Sequence, residues 1–217
     1  MNSDLDNGDK TFFSTIKDYF NILIIGDSSV GKTCILEKYI NNLFQVEPTN
    51  KKFIEVYKKK ICFNKSFYNL KFWDITNIIG NNDISNVDML YNCDGIIFVS
   101  SYDSKSSLEN INLWYQLLIE YADLSNKEMI WFINKKDLEV DKILKEEEIE
   151  KKSKDLQLDF YEVSAKTGEN IENGINNIIK KLVKRTIDSS LDLDASTNDS
   201  SDNVNIVIKE GKKCNIF

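Results

Sequence analysis

Apolar and polar positions fall into short blocks along the chain, and the blocks define six strands and five helices. Phe20 to Ile25 (FNILII), Gly95 to Ser100 (GIIFVS) and Met129 to Asn134 (MIWFIN) are continuous apolar runs, the pattern of strands covered on both faces. Phe53 to Phe63 (FIEVYKKKICF) and Phe67 to Asp74 (FYNLKFWD) flank Asn64-Lys65-Ser66 and predict a β-hairpin whose second strand ends at Asp74. Phe160 to Ser164 (FYEVS) is the last strand. Helical spacing covers Cys34 to Asn41, Ser104 to Tyr121 behind serine cap candidates, Leu144 to Leu158 and about Asn170 to Arg185. Asn41 to Pro48 lacks periodicity. Ile75 to Cys93 is asparagine-rich and predicts a loop with a poor helix around Ile84 to Tyr91. Strands alternating with helices give an α/β class: a doubly wound, mostly parallel six-stranded sheet with helices on both faces. In such a sheet ligands bind at the carboxyl ends of the strands.

Composition narrows the picture. The 217 residues are 41% hydrophobic, enough for one α/β domain, taken as residues 17–185 behind an N-terminal extension, 1–16. A net charge of −7 with lysines scattered or paired with acids argues against a nucleic-acid partner. Four cysteines without CxxC spacing, and no signal-peptide pattern before them, fit reduced cytosolic thiols. No run approaches a membrane span. The chain has no histidine, so any hydrolysis must rest on positioning and electrostatics.

The chemistry centres on Gly26-Asp27-Ser28-Ser29-Val30-Gly31-Lys32-Thr33, a complete G-x-x-x-x-G-K-[ST] between a predicted strand and a predicted helix. Glycines let backbone N–H groups turn onto phosphate oxygens, and the helix N-terminus adds its positive end. Lys32 would reach the β- and γ-phosphates and the Thr33 hydroxyl would ligate Mg²⁺. The candidate contact set here is Gly26 through Thr33 with Cys34.

Two further motifs sit at strand ends: Asn134-Lys135-Lys136-Asp137 after MIWFI, and Ser164-Ala165-Lys166 after FYEV. With these the span from about Lys17 to Arg185 resembles the small GTPases of the Ras superfamily, whose guanine loops read NKxD and SAK. The resemblance implies GTP/GDP and Mg²⁺ as ligands and a GTP hydrolase activity. It implies that Asp137 accepts from the guanine N1 and N2 groups, that Lys135 lies along the ring, and that the Ala165 N–H donates to O6. Such a carboxylate suits guanine and would be left unpaired against adenine. Phe44, eighteen residues beyond Gly26, falls where the family packs an aromatic on the base. The pieces DYFNILIIGDSSVGKTCIL, VSAKTGENI and NKKDL are most similar to Rab proteins. That implies a monomeric switch with effectors, an exchange factor and escort and prenylation machinery as partners, working in vesicle traffic on the cytoplasmic face of an intracellular membrane with a cytosolic pool.

The switch regions depart from the family. The Mg²⁺ and γ-phosphate threonine is matched by Thr49 in Glu47-Pro48-Thr49, in a loop about two residues shorter than usual and without the Ile-Gly that follows in the family. Where the family writes W-D-T-A-G-Q-E, this chain has Trp73-Asp74-Ile75-Thr76-Asn77-Ile78-Ile79. Asp74 can still hold Mg²⁺ through water. The γ-phosphate glycine becomes Asn77 and the catalytic glutamine becomes Ile78, which cannot orient water, and Ile75 to Cys93 contains neither Gln nor Glu. Residues 186–217 predict a flexible tail rich in Ser, Asp and Asn, ending in Cys214-Asn215-Ile216-Phe217, a C-a-a-X prenylation pattern with Lys209, Lys212 and Lys213 upstream. Most Rabs end in two cysteines, which leaves a Ras-like signalling assignment open. A switch that hydrolyses GTP slowly and a scaffold in the same fold that no longer cycles stand as the competing readings. A different P-loop enzyme is disfavoured by NKKD and SAK.

Overall fold

The computed structural model describes residues 19–45, 54–64, 66–75, 87–138 and 143–196. Its strands are β1 (Phe20–Gly26), β2 (Ile54–Phe63), β3 (Ser66–Ile75), β4 (Gly95–Ser101), β5 (Glu128–Asn134) and β6 (Asp159–Glu162). They form one six-stranded sheet in the order β2-β3-β1-β4-β5-β6. Only β2 runs antiparallel, as the outer arm of the β2–β3 hairpin; every other pairing is parallel. From β1 the sheet grows one way to β3 and the other way to β4. That makes the carboxyl end of β1 the point where a doubly wound sheet opens a crevice.

The continuous apolar runs are buried because both faces are covered. Ile22 and Ile24 point into a layer with Ile35 and Leu36 of α1 (Lys32–Asn41) and Ile175, Ile178, Ile179 and Leu182 of α6 (Ile171–Ser196). Leu23 and Ile25 point the other way. The cluster on that face takes in Leu90 of α2 (Val87–Asn92), Leu108 of α3 (Lys105–Glu109), Ile111, Trp114 and Leu118 of α4 (Ile111–Tyr121), and Ile149 of α5 (Glu146–Leu156). Side-chain period two on the strands thus meets a helical layer on each face. One close approach is at Gly174 on α6, where a Cβ would stand 2.2 Å from Cε1 of Phe132.

The larger differences from the sequence expectations are four; smaller ones fall at element ends, as at β6, which spans Asp159–Glu162 rather than Phe160 to Ser164. α1 begins at Lys32 rather than Cys34, because Lys32 and Thr33 are polar yet buried at 4% and 8% exposure, which the apolar periodicity does not register. The helix predicted over Ser104 to Tyr121 is two, divided at Asn110. The expected serine cap is present: Ser104 Oγ accepts from Ser107 N at 3.2 Å. α5 is shorter than predicted, starting at Glu146 with three glutamates in its first turn, where the helix dipole favours them. α6 does not stop near Arg185 but continues to Ser196. No Gly or Pro occurs between Ile175 and Glu210 to interrupt it, and a helix nucleated by packing propagates cheaply.

Candidate functional site

At the carboxyl end of β1 the chain turns through Asp27 to Val30 and enters α1. Gly31 is the N-cap, at φ 94°, a left-handed conformation that glycine adopts without strain, and a Cβ there would lie 2.3 Å from Asn134 Nδ2. α1 has neither a side-chain cap nor an acidic residue in its first turn. Its first N–H groups therefore face the crevice with the positive end of the helix dipole behind them, an arrangement that suits an anion. Ser28 and Ser29 lie exposed at the lip of the turn. Lys32 folds back beneath it and donates from Nζ to the carbonyls of Gly26 (2.8 Å) and Asp27 (2.7 Å), which holds its ammonium at the centre of the cradle.

Thr33 and Asp74 meet from opposite directions. β3 delivers Asp74 beside β1, and the Thr33 hydroxyl donates to Asp74 Oδ2 at 2.5 Å, with Asp74 only 2% exposed. A hydroxyl and a carboxylate are hard oxygen donors. Mg²⁺ is usually held by one or two such groups together with substrate phosphates, so this pair fits it.

The other half of the site, which the resemblance assigns to the base, is organised by Asn134 at the end of β5. Its Nδ2 donates to Val30 O in the phosphate loop at 2.8 Å, and its Oδ1 accepts from Ala165 N at 3.0 Å. One 2%-exposed amide thus ties the NKKD turn to both of the other loops. Here the Ala165 N–H points at Asn134, where the resemblance implies a base carbonyl; reaching O6 as well requires sharing that proton. Asp137 Oδ1 accepts from Ser164 Oγ at 2.6 Å, and Lys166 Nζ stands 3.9 Å from Asp137 Oδ2. Ser164 Oγ also accepts from Thr167 N at 3.1 Å, which fixes the serine that aims the carboxylate. Lys135 sits at φ 66°, and its Nζ is 2.6 Å from Asp103 Oδ2. Burial pushes the Asp103 carboxyl up, but hydrogen bonds from Lys135 and from Ser101 (2.6 Å) outweigh it and hold the group below the usual carboxylate range.

The structure thus brings together the phosphate loop, Asp74, Asn134, Lys135, Asp137, Ser164, Ala165 and Lys166. Cys34 lies one turn into the region and donates from Sγ to Gln45 O at 3.4 Å. Phe44 is 39% exposed just past α1, and among the described residues no aromatic partner holds it. Thr49, Asn77, Ile78 and Cys214 lie outside the described residues. Sequence reasoning missed Asp103, which anchors Lys135, and the pair Asn110 and Trp114, which donate to Asp27 from Nδ2 and Nε1, each at 2.8 Å. No motif announces these, since their partners are 32, 83 and 87 residues away in sequence.

Fold and site together define a P-loop domain of the small-GTPase kind. The Ras family model matches residues 21–184. The chain is 30% identical over 157 residues to the Ras-related protein RabG2 of Dictyostelium discoideum, covering 71% of this chain and 78% of that protein. It is 30% identical over 170 residues to Rab-26 of Mus musculus, where the match spans 77% of this chain and 64% of the longer protein. Rab-8A of Rattus norvegicus is 29% identical over 203 residues, 92% of this chain and 95% of that protein. The chain belongs to the Ras family of small GTPases and stands close to the Rab proteins.

Proposed function

We propose that the chain is a Mg²⁺-dependent guanine-nucleotide switch of Rab type that recruits effectors at a membrane surface and hydrolyses GTP slowly by itself. The observation that carries the reading is the Asn134 amide, which sets the base loops at a fixed distance from the phosphate loop by bonding to Val30 and Ala165. A guanine offered there presents its two donors to Asp137, and an adenine presents an acceptor to the same carboxylate. Lys32 and the N-terminal amides of α1 stabilise negative charge on the phosphates. Thr33 and Asp74 hold Mg²⁺, which when bound neutralises charge on the phosphate oxygens. What this chain lacks is a side chain to orient water: Ile78 stands at the glutamine position and Asn77 at the glycine position.

Membrane attachment rests on Cys214 in its C-a-a-X setting, with the lysines upstream adding attraction to an anionic leaflet. Effectors, an exchange factor and escort and prenylation machinery are the partners this reading entails. Among the described residues no helix is long and apolar enough to cross a membrane. The nucleotide content of the purified protein tests the reading: bound GDP or GTP, released on chelating Mg²⁺, is expected. Adenine nucleotide would overturn it. Asn77 and Ile78 favour a second reading, a scaffold in which GTP persists unhydrolysed, and that outcome would show as GTP alone.

A further inference from the structure

The side chain of Asp27 has its own anchorage, separate from the phosphate-binding contacts around it. Its carbonyl accepts the Lys32 ammonium at 2.7 Å. Its carboxylate faces away, toward α4, and takes one hydrogen bond on each oxygen: Asn110 Nδ2 on Oδ2 and Trp114 Nε1 on Oδ1, both at 2.8 Å. Asn110 and Trp114 are an i, i+4 pair, neighbours on one helix face, and Trp114 N closes that turn on Asn110 O at 3.0 Å. Trp114 is 3% exposed in the core layer between α4 and the sheet, so its indole N–H is fixed in place. Asn110 is the single residue dividing α3 from α4, and its side chain is directed at the loop.

We propose that Asn110 and Trp114 are positioning residues for the phosphate loop, so that nucleotide retention is set from helix α4. They act through a short relay. The two donors fix the Asp27 side chain, which fixes the Asp27 peptide, and its carbonyl orients the Lys32 ammonium. This rests on the nucleotide-switch reading above. These two charge-assisted hydrogen bonds run directly from the start of α4 to the loop, so a shift of α4 is felt at the hold on a bound phosphate.

The test uses the full chain with Asn110→Ala, Trp114→Phe, Asp27→Ala and the doubles of each donor variant with Asp27→Ala. Release of a fluorescent GDP analogue is followed by chase with unlabelled GDP, and hydrogen exchange of the amides over 27–31 is followed beside that of β4 and β5. Each single substitution is expected to speed release by about tenfold, the scale of one hydrogen bond to a charged group. Exchange should rise in the loop while the sheet stays protected. The doubles should be no faster than Asp27→Ala alone, since all act through one carboxylate. Effects that multiply in the doubles, or unchanged release with Asp27→Ala, would overturn the proposal. Trp114→Phe removes a core indole, so a loss of fold there leaves the decision to the Asn110 and Asp27 variants. If the wild type retains no guanine nucleotide, the switch reading fails, and unchanged loop exchange in Asn110→Ala would then sink the positioning role on its own.

Discussion

On the proposed function, Asp137 would carry specificity through the difference between accepting and donating. Ser164 holds one of its oxygens at 2.6 Å, so the carboxylate is presented in a fixed direction rather than left to sample rotamers. Asp137→Asn replaces an acceptor with a group that donates from its amide, and the pocket should then prefer xanthosine over guanosine nucleotides in competition binding. By the resemblance Ile78 poses the converse case, an apolar side chain at the position where the family has a water-orienting glutamine. Unassisted family members that have the glutamine already work on the order of 10⁻⁴ per second. Single-turnover hydrolysis by this chain should fall below that scale, and Ile78→Gln should raise it. An unassisted rate equal to that of ordinary members would show that another group orients the water. The motif residues were legible because their chemistry is contiguous in sequence. Asp103, Asn110 and Trp114 were not, because each matters only through a partner that folding brings near.

At the scale of elements, what the sequence shows is apolar periodicity, and its errors have physical causes. Buried polar residues hid the start of α1. A tertiary hydrogen bond from Asn110 to Asp27 marks a division in a segment whose apolar spacing is continuous through Ser104 to Tyr121. The polar composition after Arg185 suggested a tether, but helix continuation depends on the absence of breakers as much as on composition. The same elements allow a test of packing against propensity at Gly174. In a helix interior, Gly→Ala ordinarily stabilises by about 1 kcal/mol. Here the added Cβ would stand 2.2 Å from the Phe132 ring, which is wholly buried and cannot retreat. Overpacking of this kind costs about 1–3 kcal/mol. Gly174→Ala is therefore expected to destabilise the protein in denaturant titration, against the direction propensity alone gives.

The whole molecule is acidic, at −7, and so has no general attraction to an anionic surface. On the reading proposed here, attachment falls to Cys214 and the lysines beside it. Cys214→Ser should move the protein from the membrane to the cytosolic fraction of its native cell. Mass spectrometry of the membrane-bound protein should find a prenyl group on that sulfur, and an unmodified C-terminus there would exclude this route. Because α6 continues to Ser196, the residues past Arg185 add about 16 Å of helix at 1.5 Å per residue.

The amide of Asn134 links the two halves of the candidate site directly. Because a single side chain bonds Val30 on the phosphate side and Ala165 on the base side, ordering either loop prepays part of the cost of ordering the other. A nucleoside and a pyrophosphate offered as separate molecules should each bind better in the presence of the other, by the same factor in both directions. Asn134→Ala should abolish that mutual enhancement in calorimetric titrations of the two fragments. On the proposed function the pocket would then be one cooperative receptor, with discrimination of the base expressed as tightness on the phosphates.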